Sequence, residues 1–137
     1  MNQVEALQAA LAGEHAALYG VGVAGGKLRG SRFTAATAAF ETHRTRRDRL
    51  SALLVAAGET PAAAEPAYTL PRPVTNAATA TALVLVVEQR IAAVYGDLVE
   101  AAEDAAVRIF AVESLLDAAS RQLAWGGAPV AFPGAAP

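Results

Sequence analysis

The chain has 137 residues, a formal net charge of −2 and no cysteine. A chain of this length forms one domain with a substantial core. The lack of cysteine excludes disulfides, thiolate nucleophiles and cysteine-ligated zinc or iron–sulfur sites, and the near-neutral charge argues neither for nor against nucleic acid. Alanine makes up about a quarter of the chain, which favours closely packed helices.

No targeting or membrane-spanning segment is expected. Glu5 and Glu14 interrupt the N-terminal stretch where a signal peptide would need an apolar run. The longest apolar run, residues 77–87, ends at Glu88 and is too short to cross a bilayer. The sequence therefore predicts a soluble, cytoplasmic protein with no membrane partner.

Four segments repeat their apolar residues at alternating steps of three and four, which is the spacing of one helix face. The predicted elements of this single domain, residues 1–137, are helices at about 2–29, 31–57, 76–102 and 104–125, a connection at 58–75 and a tail at 126–137. Gly58 ends the second helix and Gly126 the fourth, because glycine readily takes the left-handed conformation that follows a helix.

The connection between the second and third helices predicts the topology. It contains four prolines and no helical period, so it is extended. About 17 residues of extended chain reach roughly 56 Å, whereas the second helix is on the order of 40 Å long. The connection can therefore run the length of the bundle. This predicts an all-α, ferritin-like four-helix bundle with up-down-down-up topology.

Each predicted core face contains an ionisable residue, and burying a charge is costly unless it is paired or bound to a metal. The faces are Val4, Leu7, Leu11, Glu14, Leu18 and Val21 in the first helix, Phe33, Ala36, Phe40, His43, Arg47, Leu50 and Leu54 in the second, Val84, Glu88, Ile91, Tyr95 and Leu98 in the third, and Ala106, Ile109, Glu113, Leu116, Ser120 and Leu123 in the fourth. Counted from the helix starts, Glu14, His43 and Glu88 lie at one depth, which predicts a polar layer across the bundle.

One interpretation of this layer is a metal site. Ferritin-like di-iron and di-manganese proteins place a Glu on each of two helices and a Glu-x-x-His pair on each of the other two. Carboxylates and imidazoles are ligands that suit iron and manganese. The candidate metal ligands are Glu14, His43, Glu88 and, from the fourth helix, Glu113 by the apolar pattern or Asp117 by depth.

A second interpretation is a buried ion-pair layer. Phe40 and Leu116 stand where the dinuclear pattern requires a further Glu and a further His. Arg47, one turn along from His43, adds a positive charge that could neutralise the glutamates. The layer is then the remnant of a metal site, and it sets the register of the helices with little or no net gain in stability.

The sequence shows no nucleophile–base pair, phosphate loop or dinucleotide fingerprint. We therefore predict no catalytic or cofactor-binding residues, and a non-enzymatic role is favoured. Seven of the eleven basic residues lie between Lys27 and Arg49, but no aromatic side chains alternate with the arginines. A nucleic-acid partner is not expected.

Four segments resemble the corresponding segments of a known protein family, namely residues 14–19, 43–48, 68–74 and 131–134. The chain resembles a family of small, alanine-rich, ferritin-like actinobacterial proteins of unknown function over nearly its whole length. The loop and tail segments are not generic features of helical bundles. The resemblance implies a ferritin-like bundle and implies no substrate or reaction.

Two functional hypotheses follow. The first is a non-catalytic binding or interaction module with no resident cofactor and a degenerate di-metal site, forming a homodimer through valines such as Val86 and Val87. The second is an iron- or manganese-binding protein with a reduced ligand set. Neither hypothesis identifies a small-molecule ligand.

Overall fold

The computed structural model describes residues 1–135. Within this range the chain forms four helices and no strand. The helices are α1 (Gln3–Gly25), α2 (Gly30–Ala56), α3 (Ala77–Ala101) and α4 (Ala105–Ala124). The prediction of an all-α four-helix bundle is confirmed.

Local sequence explains where the helices begin. The Asn2 side chain accepts a hydrogen bond from the Glu5 amide, and the Glu5 carboxylate accepts one from the Asn2 amide, which closes a capping box at the start of α1. Asn76 and Thr79 form the same arrangement at the start of α3. These caps satisfy amides that have no partner within the helix.

The end of α1 differs from the prediction. The helix ends at Gly25, about four residues earlier than predicted, and the chain turns through Lys27 before α2 begins at Gly30. Leu28 folds back into the core and is buried. Burial of this leucine between the helices outweighs continuation of the helix, a tertiary effect that helix periodicity does not record.

Close contacts between helices establish their directions. Gly13 of α1 lies against Val94 of α3, and Gly20 lies against Val87, so these two helices are antiparallel. Arg46 of α2 bonds Asp117 of α4, and Thr42 bonds Arg121, so α2 and α4 are antiparallel too. With antiparallel hairpins α1–α2 and α3–α4, the order of directions is up-down-down-up.

The segment between α2 and α3, residues 57–76, is the crossover, and it packs along α1. The Gln8 side chain donates to the Thr60 carbonyl at 2.8 Å and accepts from the Ala62 amide at 2.9 Å. Further along, the rings of Tyr19 and Tyr68 pack with centroids 5.6 Å apart. The crossover is thus attached to the bundle at successive points.

The buried face of α4 is the reverse of the predicted one. All six residues of its predicted core face, from Ala106 to Leu123, are exposed. The residues that α4 buries are Val107, Ala111, Ser114, Ala118 and Gln122. Large aliphatic residues recur on the outer face and suggested the wrong side. The inner face needs small residues, because the Tyr95 and Phe110 rings, 5.8 Å apart, fill the space between α3 and α4.

Among residues 1–135, α3 alone is long and apolar enough to cross a membrane by length and composition. The prediction of no membrane span rests on the apolar run 77–87, which is too short to cross a bilayer, and not on the whole of α3. A core helix of a soluble bundle passes the same test. Val84, Ile91 and Leu98 of α3 are indeed buried against the other helices.

Candidate functional site

The centre of the bundle holds three charged side chains with no solvent exposure, Glu14, His43 and Glu88. His43 Nδ1 lies 2.6 Å from Glu14 Oε2, and His43 Nε2 lies 2.9 Å from Glu88 Oε1. Both ring nitrogens face carboxylate oxygens at hydrogen-bond distance, an arrangement that favours the protonated imidazolium, the form of the ring in which both nitrogens donate. We call these three residues the polar layer. It joins α1, α2 and α3.

Tyr95 completes the environment of Glu14. Its hydroxyl donates to Glu14 Oε1 at 2.7 Å, so each oxygen of this carboxylate accepts a hydrogen bond. Burial, together with the neighbouring Glu14 charge, raises the pKa of Tyr95 far above its ordinary value of 10.0. Tyr95 is therefore a neutral hydrogen-bond donor at any physiological pH.

The charge state of His43 results from opposing effects on its pKa. Burial lowers the pKa, but the hydrogen bonds and charges of Glu14 and Glu88 outweigh burial and raise it from 6.5 to about 9. The His43 ring is thus positively charged at neutral pH. The Glu88 Oε2 atom is buried and accepts no hydrogen bond from residues 1–135.

A second ionic cluster lies between α2 and α4. Arg46 Nη2 donates to Asp117 Oδ2 at 2.7 Å, and Arg121 Nε donates to the same oxygen at 2.9 Å. Partial burial acts to raise the pKa of Asp117, but the hydrogen bonds and charges of Arg121 and Arg46 outweigh burial and lower it. Arg46 also lies over the Tyr95 ring, 5.8 Å from its centroid, and so connects this cluster to the polar layer.

Three predicted members of the layer lie elsewhere. Arg47 pairs with the exposed Asp48 and is itself one-third exposed, so it does not neutralise the buried glutamates. Glu113 is exposed on the outer face of α4. Asp117 belongs to the cluster with Arg46 and not to the layer. The reversed orientation of α4 explains the exposure of Glu113, whereas Asp117 lies on the side of α4 that contacts Arg46 of α2.

The arrangement does not resemble a metal centre in its present state. Within residues 1–135, no group of three or more His, Asp, Glu or Cys side chains converges as metal ligands would. A protonated imidazole has no free nitrogen lone pair, so His43 cannot bind a metal while it donates to both glutamates. Leu116, predicted to replace a ligand, points outward and is 63% exposed.

Sequence reasoning missed two participants. The apolar pattern places Tyr95 in the core, and a buried tyrosine hydroxyl requires a hydrogen-bond partner, which is a signal that the sequence itself contains. The apolar spacing selects Arg47, although Arg46 also follows His43 by about one turn. No sequence signal separates these arginines, because the choice depends on where α4 packs.

The fold and the polar layer together define a four-helix bundle with a carboxylate–imidazolium–carboxylate network in its core. The chain belongs to the family described as "Domain of unknown function (DUF4439)", whose match covers residues 6–137. It is similar to the crystal structure of a conserved hypothetical protein, rv2844, from Mycobacterium tuberculosis, with a TM-score of 0.87 and 35% identity over 90% of this chain and 93% of that chain. No curated protein matches the chain.

These comparisons confirm part of the predicted resemblance. The family is one of unknown function, and the structural relative comes from an actinobacterium. Neither description mentions ferritin, a metal, a substrate or a partner.

Replacing the two neighbouring arginines distinguishes the observed network from the predicted one. Arg46→Ala should lower the free energy of unfolding by about 1–3 kcal/mol, because Asp117 loses a charged hydrogen bond and the Tyr95 ring loses its cover. Arg47→Ala should cost less than about 1 kcal/mol, as is typical of a surface pair. Urea unfolding of both variants measures the difference. Equal losses, or a larger loss in Arg47→Ala, would contradict the observed network.

The raised pKa of His43 predicts a loss of stability at alkaline pH. Because the folded pKa of about 9 exceeds the model-peptide value of 6.5, the stabilisation is complete below pH 6.5 and disappears as the pH rises through 9. The loss should approach roughly 3 kcal/mol, measured by urea unfolding at several pH values.

The second histidine provides the control for this pH dependence. His15 bonds the Ala62 carbonyl at 2.9 Å and is outside the polar layer. His15→Gln should retain the alkaline loss, whereas His43→Gln should abolish it and be less stable at neutral pH. An alkaline loss that persisted in His43→Gln would show that another group is responsible.

Proposed function

We propose that this protein is a ferritin-like bundle whose former metal layer serves as a structural ion network, and that it acts in the cytoplasm as a non-catalytic, self-associating interaction module. The polar layer supports a structural role. A catalytic side chain must contact its substrate, whereas Glu14, His43 and Glu88 have no exposed surface. Both ring nitrogens of His43 are directed at the two glutamates, and the second oxygen of Glu14 accepts from Tyr95.

The observation that carries the interaction role is the outer face of α4. Ile109, Val112, Leu116 and Leu123 all project outward, and Ile109, Leu116 and Leu123 are each more than half exposed. They follow helical spacing, so they form one apolar stripe, which we call the α4 face. An apolar stripe of this kind on a folded protein is typical of an association surface. Val87, which motivated the predicted dimer, is buried instead.

The pattern of the α4 face suits a second copy of the same chain. Ile109 and Leu123 each lie seven residues from Leu116, and Val112 and Ser120 each lie four residues from it. In an antiparallel, two-fold contact centred on Leu116, Ile109 therefore meets the partner's Leu123. A two-fold interface requires this self-complementarity.

The charges on α2 support the absence of a nucleic-acid partner. Arg44 pairs with Glu41, Arg46 with Asp117, and Arg47 with Asp48. Three of the five arginines on α2 are thus paired with nearby acids. Phosphate backbones are bound by basic surfaces that lack such compensation.

Sedimentation of matched lysine variants tests the dimer. The unaltered protein should approach twice its 14.0 kDa chain mass at high micromolar concentration. Leu116→Lys should remain monomeric, because two-fold symmetry places the new charges opposite each other in an apolar contact. Val55→Lys, at a similarly exposed valine on α2, is the control and should dimerise normally. A monomeric unaltered protein at high concentration would contradict the proposal.

A second candidate function is iron or manganese binding, and one observation favours it. Glu88 Oε2 is a buried carboxylate oxygen without a hydrogen-bond donor among residues 1–135, and carboxylate oxygens are good ligands for these metals. Metal binding would require His43 to lose a proton and release one glutamate. Protein purified without chelator from iron- and manganese-supplemented medium should contain less than about a tenth of an equivalent of metal if the ion network is correct. Stoichiometric metal that disappears in Glu88→Gln would instead establish the metal function.

A further inference from the structure

A pocket opens between α1 and α3 at the edge of the crossover. Its volume is about 390 Å³, which falls within the range of roughly 300–1,000 Å³ that is typical of small-molecule sites. Small residues of α1 form one wall, and branched aliphatic residues of α3 form the opposite wall. Tyr68, Leu70 and Pro71 of the crossover complete it. The pocket is separate from the polar layer and from the α4 face.

Two glycines determine the shape of this pocket. A Cβ atom on Gly13 would lie 3.2 Å from Val94 Cγ2, and one on Gly20 would lie 3.0 Å from Val87 Cγ2. A side chain at either position would be crowded by α3, so the two glycines allow the helices to approach closely. Ala16 lies between these contacts, and its short side chain leaves the space open.

The crossover side of the pocket is held in place by α1. The His15 ring bonds the Ala62 carbonyl, and Tyr19 packs against Tyr68, whose hydroxyl accepts a hydrogen bond from the Glu65 amide. These contacts position Tyr68 at the pocket without a ligand. A pocket that is largely formed in advance loses less entropy when it binds.

The charge on the pocket indicates what it binds. Arg90 is the one charged residue in its lining, and the lining contains no acidic residue. Arg90 is exposed and forms no salt bridge within the described part of the chain. We propose that this pocket binds a free, single-chain carboxylate, with the hydrocarbon chain between α1 and α3 and the carboxylate at Arg90.

The shape of the surface favours such a ligand over a second protein chain. The pocket is concave and partly enclosed, whereas the α4 face is an outward-projecting helix surface. A narrow apolar cleft with one cationic group at its edge complements a thin apolar chain with one anionic end. A flat or helical protein surface would not fill it.

Calorimetric titration with decanoate tests the proposal, with 1-decanol as the uncharged probe. The unaltered protein should bind decanoate more tightly than decanol. Arg90→Gln should weaken decanoate binding about twofold to fivefold, which is the size expected for one exposed charged contact, and should leave decanol binding unchanged. Arg49→Gln, an exposed arginine on α2, is the charge control and should bind both probes normally.

Filling the pocket provides the steric test. Ala16→Phe should abolish binding of both probes. If the Phe variant does not fold, the milder Ala16→Leu replaces it and should weaken the binding of both probes. Ala38→Phe, at an exposed position on α2, is the matched control and should bind normally. Decanoate binding that survives in a folded Ala16 variant would overturn the site. Equal, Arg90-independent binding of the two probes would overturn the anionic ligand.

Two further outcomes would identify another occupant and overturn the proposal. Association with phosphatidylglycerol vesicles without binding of free decanoate would indicate a membrane surface. Loss of the dimer in Ala16→Leu, measured by sedimentation, would indicate that a second chain covers the pocket. The α4 variant Leu116→Lys should still bind decanoate, so failure of the dimer and failure of this site are distinguishable.

Discussion

A protonated imidazole between two buried carboxylates is the interaction around which this bundle is organised. His43 reaches from α2 to Glu14 on α1 and Glu88 on α3, so a sliding movement of any one of these helices would break a charged hydrogen bond. An uncompensated buried charge costs several kcal/mol. The layer therefore constrains the relative positions of these three helices, and Tyr95 and Arg46 extend this constraint towards α4.

The same interaction determines how the ionisable residues of the core are used. Glutamate and histidine in the core of a helical bundle are the usual ligands of a metal site. Here their hydrogen-bonding capacity is mostly used internally, because the imidazolium takes the position of a cation between the carboxylates. The two surfaces that we propose as binding sites, the α4 face and the pocket between α1 and α3, lie outside this core and are formed by different helices.

Small residues have a different use on each side of the bundle. Between α1 and α3, Gly13 and Gly20 allow close approach and leave a pocket at Ala16. On α4, Ala111, Ser114 and Ala118 make room for the Tyr95 and Phe110 rings, while the aliphatic residues face outward. The small residues of this chain thus serve two packing arrangements, close approach of two helices and space for aromatic rings. Composition alone does not distinguish them.

The sequence by itself determined the four helices, the long crossover and the common depth of Glu14, His43 and Glu88. These features depend on local periodicity, on prolines and on residue counts, all of which are properties of the chain. The tertiary structure alone decided which face of α4 is buried and whether Arg46 or Arg47 points inward. It also decided that α1 ends early so that Leu28 enters the core. Each of these outcomes depends on the volume and charge that neighbouring helices present, and a sequence pattern records only a residue's own helix.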